Sequence, residues 1–296
     1  MPCLVAVTGS SGVLGRGIVD CLVEYGAQVL AFTSSRQLLS DGGSRSSISY
    51  VPRNDLSVLE EREIDCLVNC AFPRQDNGGA VASGLRYSAQ LFHACSHGSV
   101  RSIINISSQS VYSQKRSGVA TEKENPSPEG GYAIGKYAAE VLCDFLARSI
   151  PHSHIRLASL IGADYPQRFI NYFANRVIEE KPLVVRGGDL RYGFMDVKDA
   201  SEAVATMALT DPLRWASVYN LGPSAQGYSM DEIVGTIIAA ARRRGYSPEI
   251  RSGEQGAIHN STLDSSLFEL DFNWRSKRRL EETVEDIFDH LLVSGD

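Results

Sequence analysis

The sequence predicts an α/β protein, a doubly wound parallel sheet followed by a smaller C-terminal region. Three observations predict it. Short apolar runs alternate with amphipathic helical patterns through the first half of the chain. The first of those runs, Leu4 to Val7, is apolar without alternation, as a strand covered on both faces must be. It feeds directly into Thr8-Gly9-Ser10-Ser11-Gly12-Val13-Leu14-Gly15, a glycine turn that opens a helix with Leu14, Ile18, Leu22 and Val23 on one face.

That turn is the stretch the rest is organised around. Gly9 permits the tight turn, Gly12 lets a pyrophosphate approach bare backbone, and Gly15 lets the helix sit close on the strand. The free N–H groups and dipole of the helix then meet the phosphates. The candidate cradle is Gly9, Ser11, Gly12, Val13, Leu14 and Gly15, in a Rossmann-type domain.

The second strand spans Gln28 to Phe32 and ends in Thr33-Ser34-Ser35-Arg36. An acid at this point holds the ribose 2′-hydroxyl of NAD, whereas an arginine accommodates the 2′-phosphate of NADP. No acid is present, which points to NADP through Ser34 and Arg36, with NAD as the alternative. A third strand runs from Ile48 to Val51, followed by Asp55-Leu56 and a short charged helix around Val58 to Arg62. A fourth runs from Ile64 to Cys70 and enters Ala71, a small residue suited to a cofactor lying across the sheet edge. A helix from about Val81 to His97 leads to a fifth strand, Arg101 to Ile106, which ends in Ser107-Ser108-Gln109-Ser110-Val111-Tyr112. After a polar loop, Tyr132-Ala133-Ile134-Gly135-Lys136 opens the next helix, and a sixth strand extends from His154 to Ile161.

Beyond Gly162 the periodicity is less regular: an amphipathic segment from Phe169 to Glu180, a short strand Leu183 to Val185, a helix from Ala200 to Leu209 and a strand from Val218 to Leu221. A helix from Met230 to Arg243 follows, with Ser229 as its N-cap, and the last helix runs from about Leu280 to Leu292. The expected division places the dinucleotide-binding domain in 1–163, with 195–222 returning to it, and the smaller domain in 164–194 and 223–296.

A chain of 296 residues with 43% hydrophobic and 22% charged residues buries a sizeable core. Its net charge of −6 and short basic runs exclude a phosphate-backbone binder, so no nucleic-acid partner is expected. No apolar run reaches membrane-span length and no signal-peptide layout is present. The six cysteines fall in the first half, mostly inside apolar elements and without a C-x-x-C pair. That favours buried reduced thiols over disulfides or a metal site, and a cytoplasmic protein.

The chemistry is carried by three residues. Tyr132 and Lys136, four apart on a helix, share one face. A lysine beside a phenol favours the phenolate, making tyrosine usable as acid or base nearer neutral pH. Ser108, at a parallel strand's end, is placed to hydrogen-bond the same substrate oxygen while nicotinamide gives or takes a hydride. Tyr-x-x-x-Lys alone is often an exposed helix face. Its weight comes from following the glycine cradle and the serines in this order.

On these motifs, together with Phe194-x-x-Val197-x-Asp199-Ala200 and Tyr219-Asn220-Leu221-Gly222, the chain resembles the extended short-chain dehydrogenase/reductases, nucleotide-sugar epimerases, dehydratases and reductases. The resemblance covers nearly the whole length. It implies that Ser108 orients the substrate oxygen, Tyr132 is the acid/base, and Lys136 tunes it and holds the nicotinamide ribose. It places Asp55 and Leu56 at the adenine and Ala71 beside the cofactor. It also implies a homodimer through helices near Val81 to His97 and Gly131 to Ser149. Departures guide the choice of reaction. Gln109-Ser110 stands where dehydratases carry an Asp-Glu pair, so the groups for removing water are missing. Ser159 and Gly84 stand where asparagines are usual, and Tyr192 holds the place of a phosphate-gripping arginine, with Arg191 beside it. Ser108, Ser110, Arg168 and Arg191 are the candidate substrate contacts.

The expected function is an NADP-dependent reductase of a keto group on a nucleotide-linked 4-keto-6-deoxy sugar, Tyr132 protonating the oxygen. The alternatives are an NAD-dependent nucleotide-sugar 4-epimerase, a reductase of small ketones or aldehydes, and a non-catalytic dinucleotide sensor.

Overall fold

The structure is a computed structural model and describes residues 2–40, 46–165, 169–185, 190–223, 227–254 and 259–294. Its first half contains β1 (Leu4–Thr8), α1 (Val13–Glu24), β2 (Gln28–Thr33), α2 (Arg36–Ser40), β3 (Ile48–Pro52), α3 (Val58–Glu61), β4 (Glu63–Ile64), β5 (Cys66–Asn69), α4 (Gly78–His97), β6 (Ser99–Val100), β7 (Ile103–Ile106) and α5 (Gly131–Leu146). There follow β8 (His152–Leu157), β9 (Ser159–Ile161), α6 (Phe169–Ile178), β10 (Leu183–Val185), β11 (Leu190–Arg191), β12 (Phe194–Asp196), α7 (Val197–Ala208), β13 (Val218–Leu221), α8 (Met230–Arg243), β14 (Ile250–Ser252), β15 (His259–Asn260), α9 (Ser266–Phe272) and α10 (Leu280–Ser294).

Seven strands form one parallel sheet in the order β13-β8-β7-β5-β1-β2-β3. The direction of winding reverses between β1 and β5, and that switch point is where such sheets open a crevice at their carboxyl ends. The glycine turn follows β1, so it borders the crevice.

Two differences from the expected strands have local causes. The run from Ile64 to Cys70 is cut at Asp65, whose carboxylate accepts the Leu4 N–H at 2.8 Å, leaving β4 to pair with β6 outside the main sheet. The run from His154 to Ile161 breaks at Ala158: β8 stays in the main sheet while β9 leaves it to pair with β12. That crossing carries Asp164 and Tyr165 back over the crevice. The short strands β11, β12, β14 and β15 and the helix α9 have too little periodicity to be foreseen.

Helices cover both faces of the sheet. On one, α1 buries Leu14, Ile18, Val19 and Leu22, each worth about 1.5–3 kcal/mol of transfer free energy when fully buried. It packs against α7, where Gly17 lies against the Ser201 side chain so closely that a Cβ would not fit. On the other face α4 and α5 pack together over Ala6, Leu67 and Ile103. A separate apolar cluster joins α6, α8 and α10, with Phe173, Ile237 and Phe288 at its centre. Asp199, from the Phe-x-x-Val-x-Asp segment, fastens the lead-in to α10. One of its oxygens accepts from Ser276 Oγ at 2.6 Å and from the Lys277 and Arg278 N–H groups at 2.9 Å.

A row of polar side chains crosses the sheet at one register. Thr8, Asn69, Asn105 and His154 are lateral neighbours on β1, β5, β7 and β8. Thr8 Oγ1 donates to Asn69 Oδ1 (2.8 Å), Asn69 Nδ2 to Asn105 Oδ1 (3.0 Å), and Asn105 Nδ2 to His154 Nδ1 (3.2 Å). His154 Nε2 then reaches Asp144 of α5 at 2.9 Å. All four row members are buried, so each needs the partner it has.

Candidate active site

The crevice is a cavity of about 820 Å³ at the carboxyl ends of the central strands. Gly9, Ser11, Gly12, Val13, Leu14 and Gly15 line one end of it. Gly9 has φ +67°, and the Gly12 N–H donates to Gly9 O at 2.9 Å, closing the turn. A Cβ at Gly15 would stand 2.2 Å from Gly9 O, so only glycine lets α1 start this close to the turn. Gly12 caps α1 without a side-chain hydrogen bond, leaving the first helical N–H groups for an anion.

At the other end the cavity gathers Ser108 and Ser110, from the turn after β7, with Tyr132 and Lys136 of α5. Ser108 follows the end of β7 and caps a single turn of 3-10 helix. Its Oγ accepts from Ser110 N at 3.2 Å and from Ser110 Oγ at 2.9 Å. Tyr132 and Lys136 stand one turn apart on α5. The Lys136 ammonium is buried, donates to Ile106 O at 2.6 Å and lies 5.1 Å from the centre of the Phe72 ring. Burial pushes its pKa down to about 8. Phe72 meets Tyr132 edge to face at 6.2 Å, and the same ring fills the space where Gly84 and Gly135 lack a Cβ. Small residues on α4 and α5 therefore admit the aromatic that seats the tyrosine.

Two further groups hold this end in place. The α5 N-cap, Gly130, supplies no side chain, and Asp76 takes over from outside: its Oδ1 accepts the Tyr132 N–H at 2.8 Å. Beneath the site Glu140, one turn past Lys136, pairs with Arg156 through Nη2 (2.8 Å) and Nε (3.1 Å) and accepts from Ser107 Oγ. Arg156 Nη1 also donates to Tyr112 Oη (3.0 Å), which donates on to Asn220 (2.9 Å).

Of the residues expected at the site, Gly9, Ser11, Gly12, Val13, Leu14, Gly15, Ser34, Ala71, Ser108, Ser110, Tyr132 and Lys136 line the cavity. The structure does not bring Arg36, Asp55, Leu56 or Arg191 to it. Arg36 is exposed at the start of α2. Asp55 is exposed and accepts from Ser57 Oγ at 2.8 Å, while Leu56 packs into the apolar cluster under α4. Arg191, on β11, lies 3.7 Å from Glu232 of α8. Arg168 falls outside the described residues.

Lining residues that the sequence did not single out include Arg53, Arg74, Asp164 and Tyr165. Arg74 lies 4.8 Å from the Tyr165 ring centre and donates to its hydroxyl at 3.2 Å. Asp164 pairs with Arg16 of α1 at 2.5 Å. No sequence signal marks them: Arg53 arrives with the end of β3, Arg74 with the loop after β5, and Asp164 and Tyr165 with the return of the chain after β9.

A long cleft with a glycine turn and open helix N-terminus at one end suits the pyrophosphate of a nicotinamide dinucleotide. The group at the other end suits its reactive ring. When bound, the cofactor supplies hydride exchange at the substrate carbon. The family model for the NAD dependent epimerase/dehydratase family matches residues 5–222, well over half of the chain. The protein belongs to that family. As a member it is an enzyme using a nicotinamide dinucleotide.

No curated protein sequence matches the chain significantly. Solved structures similar to it include a UDP-glucuronic acid 4-epimerase from Bacillus cereus, in complex with UDP-4-deoxy-4-fluoro-glucuronic acid and NAD. The TM-score is 0.82 at 20% identity, over 98% of this chain and 99% of that one. A UDP-N-acetylglucosamine 4-epimerase from Bacillus cereus has a TM-score of 0.82 at 22% identity, over 99% and 100% of the two chains. A UDP-glucose 4-epimerase from Thermotoga maritima has 0.81 at 20%, over 99% and 100%. At such identities the likeness is one of fold. Among the described residues no helix is long and apolar enough to cross a membrane.

Proposed function

We propose that the enzyme moves a hydride between its dinucleotide and a ring carbon of a nucleotide-linked sugar. The carrying observation is that Ser108, Tyr132 and Lys136 share one cavity with the glycine cradle. In this reading Tyr132 exchanges the proton on the oxygen at that carbon and Ser108 Oγ holds the oxygen. The Lys136 ammonium, fixed on Ile106 O, favours the phenolate when the proton has left. Gln109 and Ser110 line the cavity beside them and offer no acid, so elimination of water is not part of the proposal.

Two fates of the hydride separate two readings. Return of the hydride to the other face of the carbon gives a 4-epimerase with retained NAD, and the likeness to solved 4-epimerases supports this one. Net transfer from NADPH gives a reductase of a 4-keto-6-deoxy sugar, and the lack of an acid at the end of β2 supports that one. A second copy of the chain is the proposed partner. Ile134, Val141 and Phe145 stand exposed at i, i+7 and i+11 on α5, one apolar stripe without a partner in the monomer.

The deciding experiment denatures the purified protein and identifies any released nucleotide, then incubates fresh protein with UDP-sugars and separates the products. Retained NAD with interconversion of 4-epimers establishes the epimerase. Empty protein that consumes NADPH only with a keto sugar establishes the reductase. Absence of both dinucleotide binding and turnover refutes the proposal.

A further inference from the structure

Among the described residues, the wall of the cavity at the end of β2 carries one cation, Arg53, and not the arginine that follows β2. Arg53, the residue after β3, is held beside the end of β2 by its backbone N–H, which donates to Thr33 O at 2.8 Å. Thr33, Ser34 and Arg53 line the cavity together. The Arg53 guanidinium carbon lies 4.3 Å from the centre of the Tyr87 ring, and the Tyr87 hydroxyl donates to Arg53 O at 3.3 Å. Cation–π contact fixes the direction of the side chain without neutralising its charge. Among the described residues no carboxylate pairs with Arg53, and its Nε is buried without an acceptor. The nearest acid in sequence, Asp55, is outside the cavity and bonded to Ser57. A positioned guanidinium with neighbouring hydroxyls and no counter-ion is the chemistry that receives a phosphate monoester.

We propose that Arg53 binds a phosphate on the adenosine ribose of the cofactor, so that the dinucleotide this chain selects is NADP(H). This rests on the dinucleotide-binding part of the function proposed above and on neither fate of the hydride. Ser34 is the hydroxyl placed to share that phosphate, and Arg36 takes no part.

The test measures binding alone, by calorimetry on the cofactor-free protein with adenosine 2′,5′-bisphosphate and adenosine 5′-monophosphate. The wild type is expected to bind the bisphosphate about tenfold or more tighter, the range of one to two charge-assisted hydrogen bonds. Raising the salt narrows that gap. Arg53→Gln and Arg53→Ala remove the preference while leaving the monophosphate affinity in place, and Arg36→Ala retains it. Equal wild-type affinity for the two ligands overturns the proposal, with no variant needed. So does a preference that survives both Arg53 substitutions or disappears in Arg36→Ala. If neither nucleotide nor NADH binds the wild type, the dinucleotide reading itself fails.

Discussion

The pair beneath the site, Glu140 and Arg156, offers a quantitative test of how the catalytic end is supported. Their side chains are 3% and 6% exposed, and Glu140 accepts two hydrogen bonds from the guanidinium and one from Ser107. Glu140→Gln preserves the shape, removes the charge and turns an N–H₂ group toward a donor. Breaking one partner of a buried ion pair costs about 3–5 kcal/mol, because the remaining charge stays in a medium that does not solvate it. Urea unfolding should therefore show Glu140→Gln destabilised by about 3–5 kcal/mol at unchanged m-value. Glu140→Leu combined with Arg156→Met should cost less than the sum of the two single changes, because neither charge is then stranded. The remaining cost is that of Ser107 and Tyr112, which lose partners. Glu140→Gln within 1 kcal/mol of wild type, or strict additivity in the double variant, would refute the reasoning.

Three other outcomes follow from the geometry. Gly15→Ala places a methyl group against the backbone of Gly9 and Ser10. The overpacking costs about 1–3 kcal/mol, and dinucleotide affinity measured by calorimetry should drop roughly five- to 150-fold. Tyr132→Phe should lower kcat by about 10²–10⁴-fold while leaving cofactor affinity near wild type, since only the exchangeable proton is removed. The third concerns pH. His152 Nδ1 must donate to Ile150 O (2.7 Å), so its Nε2 meets Asp144 at 3.0 Å as a donor only when the ring is protonated. The hydrogen bond to Asp144 raises the His152 pKa above its ordinary 6.5, and the two histidines hold Asp144 below its ordinary 3.8 despite opposing burial. The histidine contribution is full below 6.5 and is lost as pH rises through the raised value. The aspartate contribution is full above 3.8 and is lost as pH falls. The stability difference between wild type and His152→Asn, followed by thermal melting, should be largest between those limits and shrink above neutrality. A difference that keeps growing as pH rises above 6.5 would contradict the assignment.

Much of this arrangement is legible in the chain because its signals are local. The glycine turn, the uniform apolar strands and the four-residue spacing of Tyr132 and Lys136 each act within a few residues, and each appears where expected. The adenosine end is less legible, for a physical reason. Arg36 sits next to β2 in sequence, but α2 carries it outward, whereas Arg53 arrives at the same strand end through sheet pairing from β3. Asp55 likewise turns to its own neighbour Ser57. Asp76, Arg74 and Tyr165 depend on loops meeting across the crevice, and loop encounters leave no periodic trace. The division of the sixth strand between β8 and β9 hinges on Ala158, a small apolar residue between Leu157 and Ser159 that carries no turn signal.

The polar row on β1, β5, β7 and β8 has a consequence for folding. Strands that are apolar on both faces say little about how far one should slide along the next, since many offsets bury the same groups. Thr8, Asn69, Asn105 and His154 find partners at one alignment only, the one observed. A shift of two residues on any strand keeps the facing pattern but strands two or more buried polar groups, at about 1–3 kcal/mol each. The row thus acts as a key cut across the sheet, rejecting near-miss alignments that hydrophobic burial alone would accept. Because the glycine turn and Ala71 follow two of those strands directly, the key also fixes how the walls of the cofactor crevice face each other.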